Sequence, residues 1–139
     1  AEDVLENCAE SRLLPNRPAG ITTNLRLVGA TQGAKAVHSI CLPPGLSSYG
    51  DEQGLVAAMP GSDIELAPGL TEGMVRFAAR YEYAVTVEDV LARRSRLLFL
   101  DAALAMALAP RVGEILQTET GLPPKTEEFT VLAQQYLLC

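Results

Sequence analysis

Three guanidiniums within four residues, Arg93-Arg94-Ser95-Arg96, follow closely on three carboxylates, Glu82, Glu88 and Asp89. Arginines that converge on one anion give charge-assisted, often bidentate hydrogen bonds, the chemistry of a phosphate clamp. Carboxylates this close in sequence are the raw material of a general acid and base. Both chemistries depend on where each side chain points, so the helical wheel decides between them. In a helix continued regularly to Asp101, the residues Val87, Val90, Leu91, Arg94, Leu98 and Asp101 share one face, while Asp89, Arg93 and Arg96 share the opposite one. Arg94 therefore points inward or the helix breaks. Asp89 stands one turn before Arg93, where an ion pair neutralises the guanidinium. An inward Arg94 needs an acid, because an unpaired buried cation is very costly, and Glu82 and Asp101 are the acids in reach. The cluster reads first as structural, with Glu82, Asp89, Arg93, Arg94, Arg96 and Asp101 as ion-pair partners or as a docking face. Each acid also has a local use in a cap, at a helix dipole or beside an arginine, so no catalytic residue is expected in this chain.

Other chemistry is poorly supplied. The stretch GATQGAK, Gly29–Lys35, departs from a phosphate loop: its glycines are one residue too close, Ala34 precedes Lys35, and Ala36 replaces the metal-binding hydroxyl. No Gly-x-Gly-x-x-Gly follows a strand, so no cofactor-binding residue is expected. His38 is the only histidine and has no Cys, Asp or Glu at ligand spacing, which indicates neither a metal site nor a Ser–His pair. Cys8, Cys41 and Cys139 are odd in number and widely spaced, a pattern suited to a reducing cytoplasm. A net charge of −6 repels phosphate backbones and anionic lipid, which argues against nucleic acid and bare membrane as partners.

The elements that carry these groups are predicted to be helical. At 139 residues, with 48% hydrophobic but only 5% aromatic residues, the core must be built from Ala, Leu and Val, which favours closely packed helices. The fold class expected is all-α, a bundle of about five to six helices, with residues 1–50 as a Gly/Pro-rich connecting arm with short helices and 51–139 as the helical body.

Along the chain, Glu2–Ser11 reads as an amphipathic helix, Ile21–Val28 as an extended arm, Ala34–Ile40 as a short helix and Asp51–Met59 as another, closed by Pro60-Gly61. Ser62–Gly69 reads as a loop, and Thr71 as the cap of a helix over Glu72–Tyr83. There Met74, Phe77, Ala78 and Tyr81 line one face, and Arg76 and Arg80 face water. Thr86 caps the next helix, with Asp89 completing a short-armed capping box. Ala102–Ala109 is apolar all round, as in a central helix, and Pro110 is expected to kink it or start another. Gly121 is a natural stop, and Thr126 opens a last helix carrying Phe129, Leu132, Ala133 and Tyr136. The longest apolar run, Leu97–Ala109, is interrupted by Asp101 and falls short of the ~20 residues that cross a bilayer, so no direct membrane insertion is expected.

The segment Tyr81–Leu97, YEYAVTVEDVLARRSRL, with its Thr start, EDVL and RR-x-R-L, resembles the C-terminal domain of FAD-dependent glycerol-3-phosphate dehydrogenases. The likeness extends over LFLDAALAMALAPRVGEIL, Leu98–Leu116, similar to that domain's long Ala-rich helix, and Ala1–Leu5 resembles the segment leaving the flavin domain. The resemblance implies a parent enzyme that oxidises glycerol 3-phosphate to dihydroxyacetone phosphate through FAD and quinone. The FAD and the substrate residues would belong to a flavin domain preceding Ala1, and that domain would be this chain's partner. The chain itself would then be non-catalytic, capping, stabilising or regulatory, in an enzyme peripheral to the cytoplasmic face of the inner membrane. An oxidase using oxygen is the near variant, and a free-standing helical module for a protein or phospho-ligand is the rival from another class.

Overall fold

The computed structural model describes residues 2–15, 25–30 and 45–137. The proposed helix over Ala34–Ile40, His38, Cys41, Cys139 and most of GATQGAK lie outside the described residues. So does the first half of the expected arm, while residues 25–28 carry no strand. The chain divides into two units, Ala1–Ala30 and Thr31–Cys139. In the first unit, α1 spans Glu2–Glu10, with Glu2 and Asp3 in its first turn where acids complement the dipole, and it buries no residue.

The described part of the second unit opens with a 3₁₀ helix, Leu46–Glu52, running into α2, Gln53–Ala57. This stretch belongs with the helical body, because the Tyr49 ring packs edge-on against Phe77 at 5.4 Å. Two short strands follow, β1 (Glu65–Ala67) and β2 (Leu70–Thr71), paired antiparallel across Pro68-Gly69. This hairpin replaces the loop expected over Ser62–Gly69, and the fold is mostly rather than purely α.

Thr71 caps α3 (Glu72–Tyr81), its hydroxyl accepting from the Met74 N–H at 3.3 Å. Met74, Phe77 and Ala78 are buried as the spacing predicts, whereas Tyr81 is largely exposed and stacks on Phe77. Of the two outcomes open beyond Thr86, an inward Arg94 or a broken helix, the helix breaks. A π-helix spans Asp89–Arg94, Arg96 sits left-handed at φ 57°, α4 covers only Leu97–Leu100, and Asp101 starts a new helix by accepting from the Leu104 N–H at 2.9 Å.

That new helix, α5 (Ala102–Thr120), runs on through Pro110, so no fresh helix starts there. It is also not apolar all round in its setting: Ala102, Ala105 and Ala109 are buried, while Ala103 and Ala107 face outward. The small alanine side chains make either environment tolerable, and α5 still carries the packing of α3, α4, the π-helix and the last helix, the central place its composition predicts. Gly113 lets α5 approach the next helix closely, since a Cβ there would lie 2.4 Å from the Thr126 hydroxyl. Gly121 ends α5 in the left-handed conformation at φ 70°. The last helix, α6, spans Thr126–Gln134 and buries Phe129 and Ala133 against the core, while Tyr136 stays partly exposed. The core, with Phe77, Leu91, Leu98, Val112, Leu116 and Phe129 fully buried, lies where α3, the π-helix and α6 meet α5. Each such side chain contributes about 1.5–3 kcal/mol through burial.

Candidate functional site

The charged cluster singled out in the sequence lies at the corner between α3 and the π-helix. Glu82 closes α3, and the Ala78 carbonyl accepts from both the Glu82 N–H (3.1 Å) and the Ala84 N–H (3.0 Å). The turn places Tyr83 at φ 58°, almost fully exposed. Thr86 and Asp89 then form the expected capping box. The Thr86 hydroxyl accepts from the Asp89 N–H at 3.2 Å, and the Asp89 carboxylate accepts from the Thr86 N–H at 2.9 Å, the Val85 N–H at 3.1 Å and the Thr86 hydroxyl at 2.8 Å. Burial alone would push the Asp89 carboxyl up, but the bonds from Thr86, Val85 and Arg93 outweigh it and hold the group down at about 2.

The π-helix resolves the dilemma of Arg94. Ser95 donates its N–H back to the Val90 carbonyl at 2.9 Å, and its buried hydroxyl donates to the same oxygen at 3.0 Å. The wider turn swings Arg94 off the apolar face and onto Glu82. There Nε donates to Oε2 at 2.8 Å, one Nη donates to the Asp89 carbonyl at 3.0 Å, and the other reaches the Glu82 carbonyl. The pair is half-buried. Of the two acids foreseen for Arg94, Glu82 takes the role and Asp101 does not, because the break at Arg96 turns Asp101 into the cap of α5.

Arg93 is exposed and pairs with Asp89 and with Glu88, the latter at 2.6 Å. Arg96, on the reversed backbone, is exposed and makes no ion pair among the described residues. The three guanidiniums thus end in three environments and do not converge, and no clamp for a phosphate is assembled. Glu82 is engaged by Arg94, while Glu88 and Asp89 share Arg93.

Sequence reasoning missed the other charged network. Glu72, only 3% exposed, accepts from Arg76 at 3.0 Å and from Arg111 Nε at 2.7 Å. Burial pushes its carboxyl up, but the bonds and charges of Arg111 and Arg76 win and lower it. Arg76 also meets Glu119 at 3.4 Å, and Arg80 holds both oxygens of Glu119 at 2.6 and 3.0 Å. Arg76 and Arg80, expected to face water, instead tie α3 to α5. The Glu72/Arg76 spacing of one helical turn was a visible signal; the reach of 39 residues from Glu72 to Arg111 was not.

Among the described residues there is no group of three His, Cys, Asp or Glu side chains able to hold a metal ion. The described sheet is a two-stranded antiparallel hairpin, unlike the parallel βαβ sheet of the doubly wound dinucleotide fold. No described helix is long and apolar enough to cross a membrane.

The model of the C-terminal domain of alpha-glycerophosphate oxidase matches residues 20–127 of this chain. A protein of Dictyostelium discoideum named probable glycerol-3-phosphate dehydrogenase, mitochondrial, is 33% identical over 111 residues, covering 69% of this chain and 17% of its own. The Arabidopsis thaliana protein named glycerol-3-phosphate dehydrogenase SDP6, mitochondrial, is 37% identical over 93 residues, covering 66% of this chain and 14% of its own. The chain thus spans about one sixth of the length of these relatives. No solved structure matches it.

Proposed function

Since this chain belongs to the family of the C-terminal domain of alpha-glycerophosphate oxidase, we propose that it serves as the non-catalytic, capping and stabilising domain of a flavoenzyme that oxidises glycerol 3-phosphate to dihydroxyacetone phosphate. FAD, where bound, accepts the two electrons removed from the substrate and hands them on, to quinone in this reading. The flavin and the reacting groups are assigned to another segment of the parent polypeptide, because this chain belongs to a C-terminal domain family and spans only about one sixth of the relatives it matches. The parent enzyme is assigned to the cytoplasmic face of the inner membrane, as a peripheral protein.

The observation that carries a structural role for this chain is the use to which its charges are put. Arg93 and Arg94 are consumed in holding the α3 corner, and Arg76, Arg80 and Arg111 in tying α3 to α5. Where these guanidiniums converge, it is on the chain's own carboxylates, Glu72 and Glu119. Exposed Tyr83 and Arg96 flank the same corner and are the groups through which it would meet the flavin domain.

The test is to isolate the native protein with an antibody to this chain and record its mass and visible spectrum. A species much larger than the chain's 14.8 kDa, with a flavin spectrum bleached by glycerol 3-phosphate, is the expected result. A colourless product of fragment size would overturn the reading and favour a free-standing binding module.

A further inference from the structure

Between the 3₁₀ helix, the hairpin, α3 and the π-helix lies a pocket of about 210 Å³. Leu70, Met74, Ala78 and Val90 form an apolar wall, and Glu82 and Arg94 stand at a polar end. An apolar cavity of about 150 Å³ is enough for benzene, so this pocket suits one ring with a short substituent.

The polar end is unfinished in a particular way. A guanidinium carries five N–H donors; Arg94 spends three, on the Glu82 carboxylate, the Glu82 carbonyl and the Asp89 carbonyl. Glu82 accepts from Arg94 through Oε2, and its Oε1 makes no hydrogen bond among the described residues. Spare donors and a spare anionic acceptor therefore sit side by side at the mouth of an apolar slot. A hydroxyl satisfies both, accepting from the guanidinium and donating to the carboxylate. A phosphate or carboxylate does not, because Glu82 already neutralises Arg94 and its free oxygen repels a second anion. Tyr49 lines the same space. Burial, reinforced by Glu82 and opposed by Arg94, pushes its phenol up to about 12, so it stays a neutral donor at physiological pH.

We propose that this pocket is a binding site for a small uncharged alcohol carrying one hydrophobic ring, its hydroxyl bridging Arg94 and Glu82 and its ring against Leu70, Met74 and Ala78. The site is independent of the flavoenzyme reading, since it is formed by this chain alone. The π-helix has a use here, because only its wider turn brings Arg94 to Glu82 at the pocket mouth; insertions of this kind recur at functional sites.

The test titrates 4-fluorobenzyl alcohol into the full 139-residue chain and follows the fluorine NMR signal. Saturable binding is expected with a dissociation constant on the order of 1 mM, typical of so few heavy atoms. Binding of 4-fluorotoluene, which lacks the hydroxyl, should be about tenfold weaker, the worth of a hydrogen bond to a charged group. Ala78→Leu fills the slot and should abolish binding. Ser48→Phe, at an exposed rim position, blocks entry without touching the core and decides the matter if the first variant does not fold by circular dichroism. The proposal is overturned by no saturation up to about 20 mM, by equal affinity for the alcohol and the toluene, by tighter binding of 4-fluorophenyl phosphate, or by binding that survives in the folded blocked variants.

Discussion

Replacing Asp89 by Ala removes the acceptor on which the start of the π-helix hangs. Its carboxylate, 18% exposed, gathers the Val85 and Thr86 N–H groups, the Thr86 hydroxyl and the Arg93 guanidinium. Loss of a helix cap costs about 1 kcal/mol, and depriving a second part-buried N–H of its partner costs a further ~1–2 kcal/mol. The independent electrostatic route gives a similar figure. A carboxyl lowered from 3.8 to about 2 represents about 2 kcal/mol of preferential interaction with the charged form. Because the folded pKa lies below the unfolded one, that contribution is complete above the unfolded value and is lost as pH falls through the folded value, about half of it by pH 3. Urea denaturation of the parent and of Asp89→Ala at pH 7, 5, 4 and 3 measures both. The expected gap is about 2–3 kcal/mol at pH 7, narrowing by about 1 kcal/mol at pH 3. Asp89→Asn keeps an acceptor but not the charge and should fall between them. A gap below ~0.5 kcal/mol at pH 7, or one that does not change with pH, would refute the assignment of Asp89 as the charged anchor of this corner.

Glu72→Ala should destabilise by about 2–3 kcal/mol, less than the full cost of breaking a buried pair, because Arg76 keeps Glu119 at 3.4 Å and Arg111 keeps Glu114 at 2.9 Å. A double-mutant cycle with Arg111→Ala should return a coupling of about 1 kcal/mol, and purely additive losses would mean the bond across α3 and α5 is worth nothing. Gly113→Ala should cost about 2 kcal/mol despite a better helix propensity, since its Cβ meets the Thr126 hydroxyl at 2.4 Å; thermal melts in a Thr126→Ala background should recover most of that loss. At Arg96, φ 57° and exposed, Arg96→Gly should be tolerated within about 1 kcal/mol and Arg96→Val should cost about 2 kcal/mol. Equal stabilities of these two variants would contradict the left-handed backbone.

Much of the second unit was legible in the sequence because its signals are local. Thr71 before Glu72, the Thr86/Asp89 spacing and Gly121 after α5 each mark a helix end through a bond or dihedral that involves only a few neighbouring residues. The buried positions Met74, Phe77, Phe129 and Ala133 followed from periodicity for the same reason. The β1–β2 hairpin had a signal, Pro68-Gly69 between short apolar pairs, but strands of three and two residues are too short for alternation to show. The ion pair of Asp89 with Arg93 was readable at one turn's separation, whereas the ties of Arg76 and Arg80 to Glu119 were not, and exposure was the natural but mistaken expectation.

What the sequence determined by itself, then, was the helical class, the caps, the apolar stripes and a family likeness over Tyr81–Leu116 that the match over residues 20–127 extends. Arg93 was legible beside Asp89, but the tertiary structure alone decided where Arg94, Arg80 and Arg111 go. A regular helix would have put Arg94 among Val87, Val90, Leu91 and Leu98, and the cost of burying a cation there is met by widening one turn and reversing the backbone at Arg96. Which acid then receives Arg80 and Arg111 depends on how α3 and α5 pack, over separations that no local pattern encodes.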